Sequence, residues 1–213
     1  MKTLRLITAI GLGALVAACG TAPGIPSRAA PNDAAQPPLN FQQDGLGQPA
    51  AAARAVMPQS INVASIVVRV PETLTVSESN GYYPRADIVW RGDVLGDRRA
   101  QIKAIFEDAF ARGTSTLQGE TPVIIDVQVK RFHSVTDRTR ASVGGVHNME
   151  FFLTVYDAET GAVLMPTREV AADLPALGGS EAIAADRQGQ TQKVRVTSYL
   201  ALTIDEELRK RPI

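Results

Sequence analysis

Few side chains in this 213-residue chain are suited to chemistry beyond packing: a single cysteine, Cys19, and two histidines, His133 and His147. A thiolate is the best nucleophile among ordinary side chains, and one cysteine permits no disulfide within the chain. Two imidazoles on neighbouring strands would supply half of a zinc or copper site. Asp137 lies nearby in the loop between them, and no third ligand stands out. His133 and His147 are therefore the candidate ligands of a site that the sequence leaves incomplete, and no metal or other cofactor is expected. Serine and aspartate also fall between the histidines, but no G-x-S-x-G elbow supports a nucleophilic serine. The stretch LGGS at 177–180 lacks the G-K-[ST] ending of a phosphate loop and reads as loop punctuation. No residue is assigned a catalytic role.

The elements around Cys19 explain its position. Lys2 and Arg5 give a positive start, and Leu6 to Ala18 is uncharged and largely apolar. That run is shorter than the roughly 20 residues a membrane-spanning helix needs, so residues 1–18 read as a secretory signal peptide. Val16-Ala17-Ala18-Cys19 resembles the lipobox of bacterial lipoproteins. The resemblance implies that Val16, Ala17 and Ala18 guide cleavage just before Cys19, and that the Cys19 thiol carries diacylglycerol. It also implies acylation of the new N-terminus, and two or more chains anchor stably where one does not. Gly20 stands where an aspartate would retain such a lipoprotein at the inner membrane. Outer-membrane sorting with the chain facing the periplasm is the expectation, and the lipid bilayer is the first partner.

Loss of Lys2 and Arg5 with the signal peptide leaves two more acidic than basic side chains. That balance provides no electrostatic footprint for nucleic acid. Residues 20–58 hold seven of the 13 prolines, with many alanines and glutamines. This composition reads as a disordered tether, lipid-bearing from Cys19 onward and reaching about 35 Å as a flexible coil. Residues 59–213 remain for one folded periplasmic domain, long enough to bury a core without staples.

Within that domain, residues 60–71 are β-branched and end at Pro71, as a strand would. Residues 73–79 alternate as a second short strand, and 86–90 form another apolar run. Residues 92–113 show helical spacing through Ile102, Ile105, Phe106, Ala109 and Phe110, with Asp93 or Asp97 as cap. Residues 121–133 and 146–156 alternate cleanly and pair as an antiparallel hairpin. Matching their apolar faces requires paired numbers to share an even sum. A sum near 280 sets Lys130 against Glu150 and His133 against His147. Gly161 marks a tight turn into a third strand at 163–174, a loop follows, and a helix over 191–210 carries Val196, Leu200, Ile204 and Leu208 as its stripe. The expected fold is α+β: a mainly antiparallel sheet with a β-meander and two helices packed on one face. The other sheet face is left open to solvent or to a partner. Trp90 is expected in the core; Tyr82 and Tyr83 flank a turn. Lys130, Arg131, Arg138 and Arg140 place positive charge around the hairpin tip.

The segments RADIVWRGDVLGDRRAQIKAIFEDA and RFHSVTDRTRASVGGVHNMEFFLTVYDAETG resemble a family of uncharacterised proteobacterial lipoproteins with a domain of unknown function. The resemblance transfers no functional residue. The functional expectation is a non-catalytic binding or assembly module for another envelope protein, not an enzyme. A lipid or small-ligand binding transport accessory is the alternative, and an enzyme on envelope polymers ranks below both. Replacing Cys19 by Ala is expected to abolish incorporation of labelled palmitate and to release the chain from the membrane fraction, read by fractionation and autoradiography.

Overall fold

The computed structural model describes residues 57, 58 and 60–210. The signal peptide, Cys19, its cleavage residues and the tether up to residue 56 lie outside them, while Met57, expected at the end of the tether, packs against the core. Among the described residues no helix is long and apolar enough to cross a membrane.

The chain enters through β1 (Ile61–Arg69), passes an irregular segment to the two-residue β2 (Ile88–Val89), and then forms helix α1 (Arg98–Thr114). Three long strands follow: β3 (Thr121–His133), β4 (Gly145–Asp157) and β5 (Val163–Ala176). A four-residue helix, α2 (Asp137–Arg140), sits between β3 and β4. Helices α3 (Gly179–Arg187) and α4 (Gln192–Arg209) close the chain. The sheet order is β1-β3-β4-β5, with β2 also on β3.

The β3–β4–β5 meander is antiparallel as expected. However, β1 and β2 both run parallel to β3, β1 along residues 121–128 and β2 along 132–133. The physical reason is connectivity: α1 lies between these strands and β3 in sequence, and a helical crossover returns the chain in the same direction. Residues 73–79 contribute only an isolated bridge, Val76 to Ile88, not a strand. The interval expected to be loop before the last helix contains α3, so the described residues hold four helices rather than two.

Each long element forms where its pattern demands. Asp97 caps α1 by accepting from the Ala100 amide at 3.1 Å, and Thr191 caps α4 by accepting from Val194 at 3.3 Å. Ile102, Ile105, Phe106, Ala109 and Phe110 are all buried, as are Val196, Leu200 and Ile204. These stripes share a core cluster with Val123, Ile125, Val127 and Val129 of β3 and Phe151, Leu153 and Val155 of β4. Phe106 centres an aromatic cluster, its ring 5.3 Å from Phe151, 5.6 Å from Phe110 and 6.2 Å from Phe132, all edge-on. Such pairs each add about 0.5–1.5 kcal/mol beyond area burial. Gly161 turns β4 into β5 at φ 71°, as expected.

The helices α1 and α4 meet at Gly113, where a Cβ would lie 2.2 Å from the Ala201 carbonyl and 2.5 Å from Ile204 Cγ2. A Gly-to-Ala change inside a helix ordinarily stabilises by about 1 kcal/mol; here overpacking at about 1–3 kcal/mol wins. Gly113→Ala is expected to lower the denaturant midpoint, measured by urea unfolding.

Candidate functional site

The two histidines do not meet. From Val123↔Asp157 to Val129↔Phe151 the hairpin keeps the expected register, with paired numbers summing to 280. A β-bulge then leaves Lys130 unpaired, and Arg131 pairs with Glu150. The extra residue puts His133 opposite Asn148 instead of His147. It also reverses facing, so Phe132 joins the core three residues after Val129. The expected pairing of His133 with His147 is therefore wrong. Among the described residues, no group of three or more His, Cys, Asp or Glu side chains is placed to hold a metal.

Each histidine has its own environment. His133 Nδ1 lies 2.9 Å from the Ala86 carbonyl and 3.0 Å from Arg131 Nη2, tying β3 to the chain entering β2. His147 is buried, with Nδ1 2.8 Å from Ser134 Oγ. Gln192 Nε2 donates to that same Ser134 oxygen at 3.0 Å. Ser134 then has its own proton to give, so His147 Nδ1 accepts and Nε2 carries the hydrogen; the network assigns this tautomer. The imidazole borders a polar notch shared with Arg140, Arg195 and Gln190. Burial, reinforced by Arg195 and Arg140, lowers its pKa to about 4. A neutral imidazole, a serine and a glutamine with no carboxylate partner join the hairpin end to the start of α4.

The tip arginines are engaged. Arg140 pairs with Asp186 of α3, and Arg138 lies over the Tyr82 ring at 4.9 Å. Gly178, within LGGS, packs against the hairpin tip: a Cβ there would lie 2.0 Å from the Gly144 amide. No open cradle is left between those two glycines. Trp90 is fully buried, edge-on to Phe132 at 5.4 Å, and donates to Asp93 at 2.8 Å, while Tyr83 is 92% exposed.

The exposed chemistry lies on the sheet face opposite α1 and α4. Phe152 and Tyr156 sit there half-buried, beside Arg69, Asp126, Gln128 and Thr167. Together they border a concavity with a volume of about 330 Å³. Arg69 and Asp126 pair at 2.7 Å. Lys130 bridges Glu150 at 3.1 Å and Glu169 at 2.6 Å, linking three strands. Hydrogen bonds to Glu169 and Glu150 raise the Lys130 pKa, and the Lys130 hydrogen bond lowers that of Glu150. Sequence alternation had identified this face as open, and the Lys130–Glu150 pair was expected; the contribution of Arg69 was missed because it depends on β1 running parallel to β3.

These features define a class: a two-layer α+β domain with helices on one sheet face and a mixed polar and aromatic surface on the other. The chain belongs to a family of unknown function, DUF6778, whose model matches residues 61–213. No curated protein matches the sequence. Among solved structures, it is similar to a Caulobacter crescentus CB15 protein provisionally classed as a lipoprotein, at 14% identity and TM-score 0.34 over 67% of this chain and 86% of that one. It is similar to a Xanthomonas campestris protein of the DUF330 family, at 15% identity and TM-score 0.40 over 75% and 91%. It is also similar to a PelC dodecamer from Paraburkholderia phytofirmans, at 9% identity and TM-score 0.34 over 70% and 88%. At these scores none of the three fixes what this chain does.

The buried histidine has a measurable consequence. An unfolded imidazole takes a proton near pH 6.5, whereas folded His147 resists until about pH 4. Its contribution to stability is therefore complete above about pH 6.5 and falls as pH drops toward 4, by about 3 kcal/mol in all. His147→Asn retains a hydrogen-bonding group beside Ser134 and removes the titration. The variant is expected to lose correspondingly less stability than the parent across that window, measured by urea unfolding at a series of pH values.

Proposed function

We propose that this protein is a membrane-anchored envelope lipoprotein whose domain is a non-catalytic binding module for another envelope protein. The anchor is the acylated Cys19, and outer-membrane placement follows from Gly20. One observation carries the binding role: α1 and α4 both pack on one sheet face, leaving Phe152 and Tyr156 half-buried around a concavity on the other. Aromatic anchors surrounded by polar and charged groups match the make-up of protein interfaces. The separation of His133 from His147 removes the pairing on which the candidate metal site had relied.

A photo-crosslinking residue at Phe152, introduced into the full chain in cells, tests this. The expected result is one discrete heavier adduct containing a different envelope protein. A control at Leu202 on the helix side, 63% exposed, should give none. Adducts at Leu202 and none at Phe152 would place binding on the wrong layer and contradict the proposal.

A further inference from the structure

The two edges of the sheet are built differently. β5 carries Pro166 and Pro175, which lack amide hydrogens, and charged Arg168, Glu169 and Asp173. Those are the devices that keep a free edge from pairing. β1 has no proline and is irregular only at Ala64, between Val63 and Ser65; Ile61 to Val68 is uncharged and rich in β-branched residues. Its sole charge, Arg69, is matched by Asp126 at 2.7 Å. The start of the β1 outer edge is closed, since Gly119 donates to the Ile61 carbonyl at 2.8 Å and Asn62 bridges Gln118. From Ala64 to Arg69 no strand of the described residues pairs with that edge. Val67 there is 40% exposed, and a groove of about 520 Å³ borders residues 62–66, between β1 and Ala111 and Thr114 of α1 with Leu117 just beyond it.

An unpaired strand edge fits an extended strand. Residues 20–56 are ill-suited by composition to provide it, because their prolines withhold ladder donors. A second copy of β1 meets the requirements: it is uncharged over the same stretch, it opposes no unmatched like charge, and it places two identical edges together across a two-fold axis.

We infer that two copies of this chain pair antiparallel through β1, joining their sheets into one. The register follows from the faces. Ser65, Val67 and Arg69 align with Ile124, Asp126 and Gln128 on the open side, and Ile66 and Val68 with Ile125 and Val127 on the core side. Faces match only when paired numbers share an even sum. A sum of 134 uses the free stretch and avoids the closed end. It puts Val67 on the axis opposite itself, Ser65 opposite Arg69, and Ile66 opposite Val68 on the core side. The pairing stands apart from whatever binds the open face.

The test uses the full chain in membranes. With Cys19 consumed by lipid, Val67→Cys introduces the one free thiol, about 4.5–5.5 Å Cα to Cα from its copy and within disulfide reach. Mild oxidation is expected to convert Val67→Cys to a species of twice the mass on a non-reducing gel, while Tyr83→Cys stays monomeric. Val67→Lys in detergent should weaken self-association at least about tenfold with an unchanged circular dichroism melt. A Val67→Cys chain that stays monomeric, or that links to a different protein, would overturn the inference, whereas the Phe152 crosslink reports separately on the binding role.

Discussion

The bulge at Lys130 is the constraint on which the far end of the structure depends. Up to Val129, β3 feeds every second residue into the core. One extra residue reverses that phase, and Phe132 becomes a core residue that packs on Trp90 and Phe106. With the phase reversed, Ser134 is buried within reach of His147 and Gln192, and His133 bonds outward to Ala86. Short β2 pairs with Phe132 and His133, immediately past the bulge. Lys130 itself, freed from the ladder, reaches both Glu150 and Glu169. A straight hairpin would have joined the two histidines and left Phe132 on the solvent side.

A second constraint holds the least regular part of the chain. Between β1 and α1 the backbone has little regular pairing, yet much of it is tied down by three arginines. Buried Arg98 pairs with Glu78 at 2.8 Å and donates to the Asp93 and Val94 carbonyls. Arg91 pairs with the same Glu78 at 2.9 Å. Arg99 donates to the carbonyls of Pro71, Glu72 and Leu74. Guanidinium groups suit this work because their planar set of donors serves several carbonyls at once. The arginine hydrogen bond lowers the Glu78 pKa against the opposing effect of burial, so the carboxylate stays charged between its two arginines.

Periodicity disclosed the long elements, because burial on one face writes a pattern into residue spacing. The α1 stripe, the alternation of β3 and β4, the turn at Gly161 and the α4 stripe all appear where spacing put them. Three features were not legible. The bulge follows no local pattern, since Lys130 looks like an ordinary outward residue until Phe132 is seen to need the core. The direction of β1 depends on tertiary crossover, and its own run of apolar residues fits either direction. Helix α3 hid behind LGGS because its stripe is weak and only Ala182 is fully buried. At the candidate site, alternation showed that a sheet face was open, but which side chains border the concavity depends on the β1 register. Cys19 and its neighbours rest on sequence alone.

Together these features describe a domain whose interior histidine bonds within the fold and whose open sheet face carries mixed aromatic and charged side chains. The histidine separation is the point to test most directly, because a shared metal site would reverse that division. Long-range proton–nitrogen correlation spectra of the two imidazoles, recorded with and without one equivalent of zinc, would decide it. The structure predicts a His147 ring protonated at Nε2 and a response to zinc that the two rings do not share. Joint displacement of both histidine signals by stoichiometric zinc would contradict the bulge, the register beyond it and the division of roles built on them.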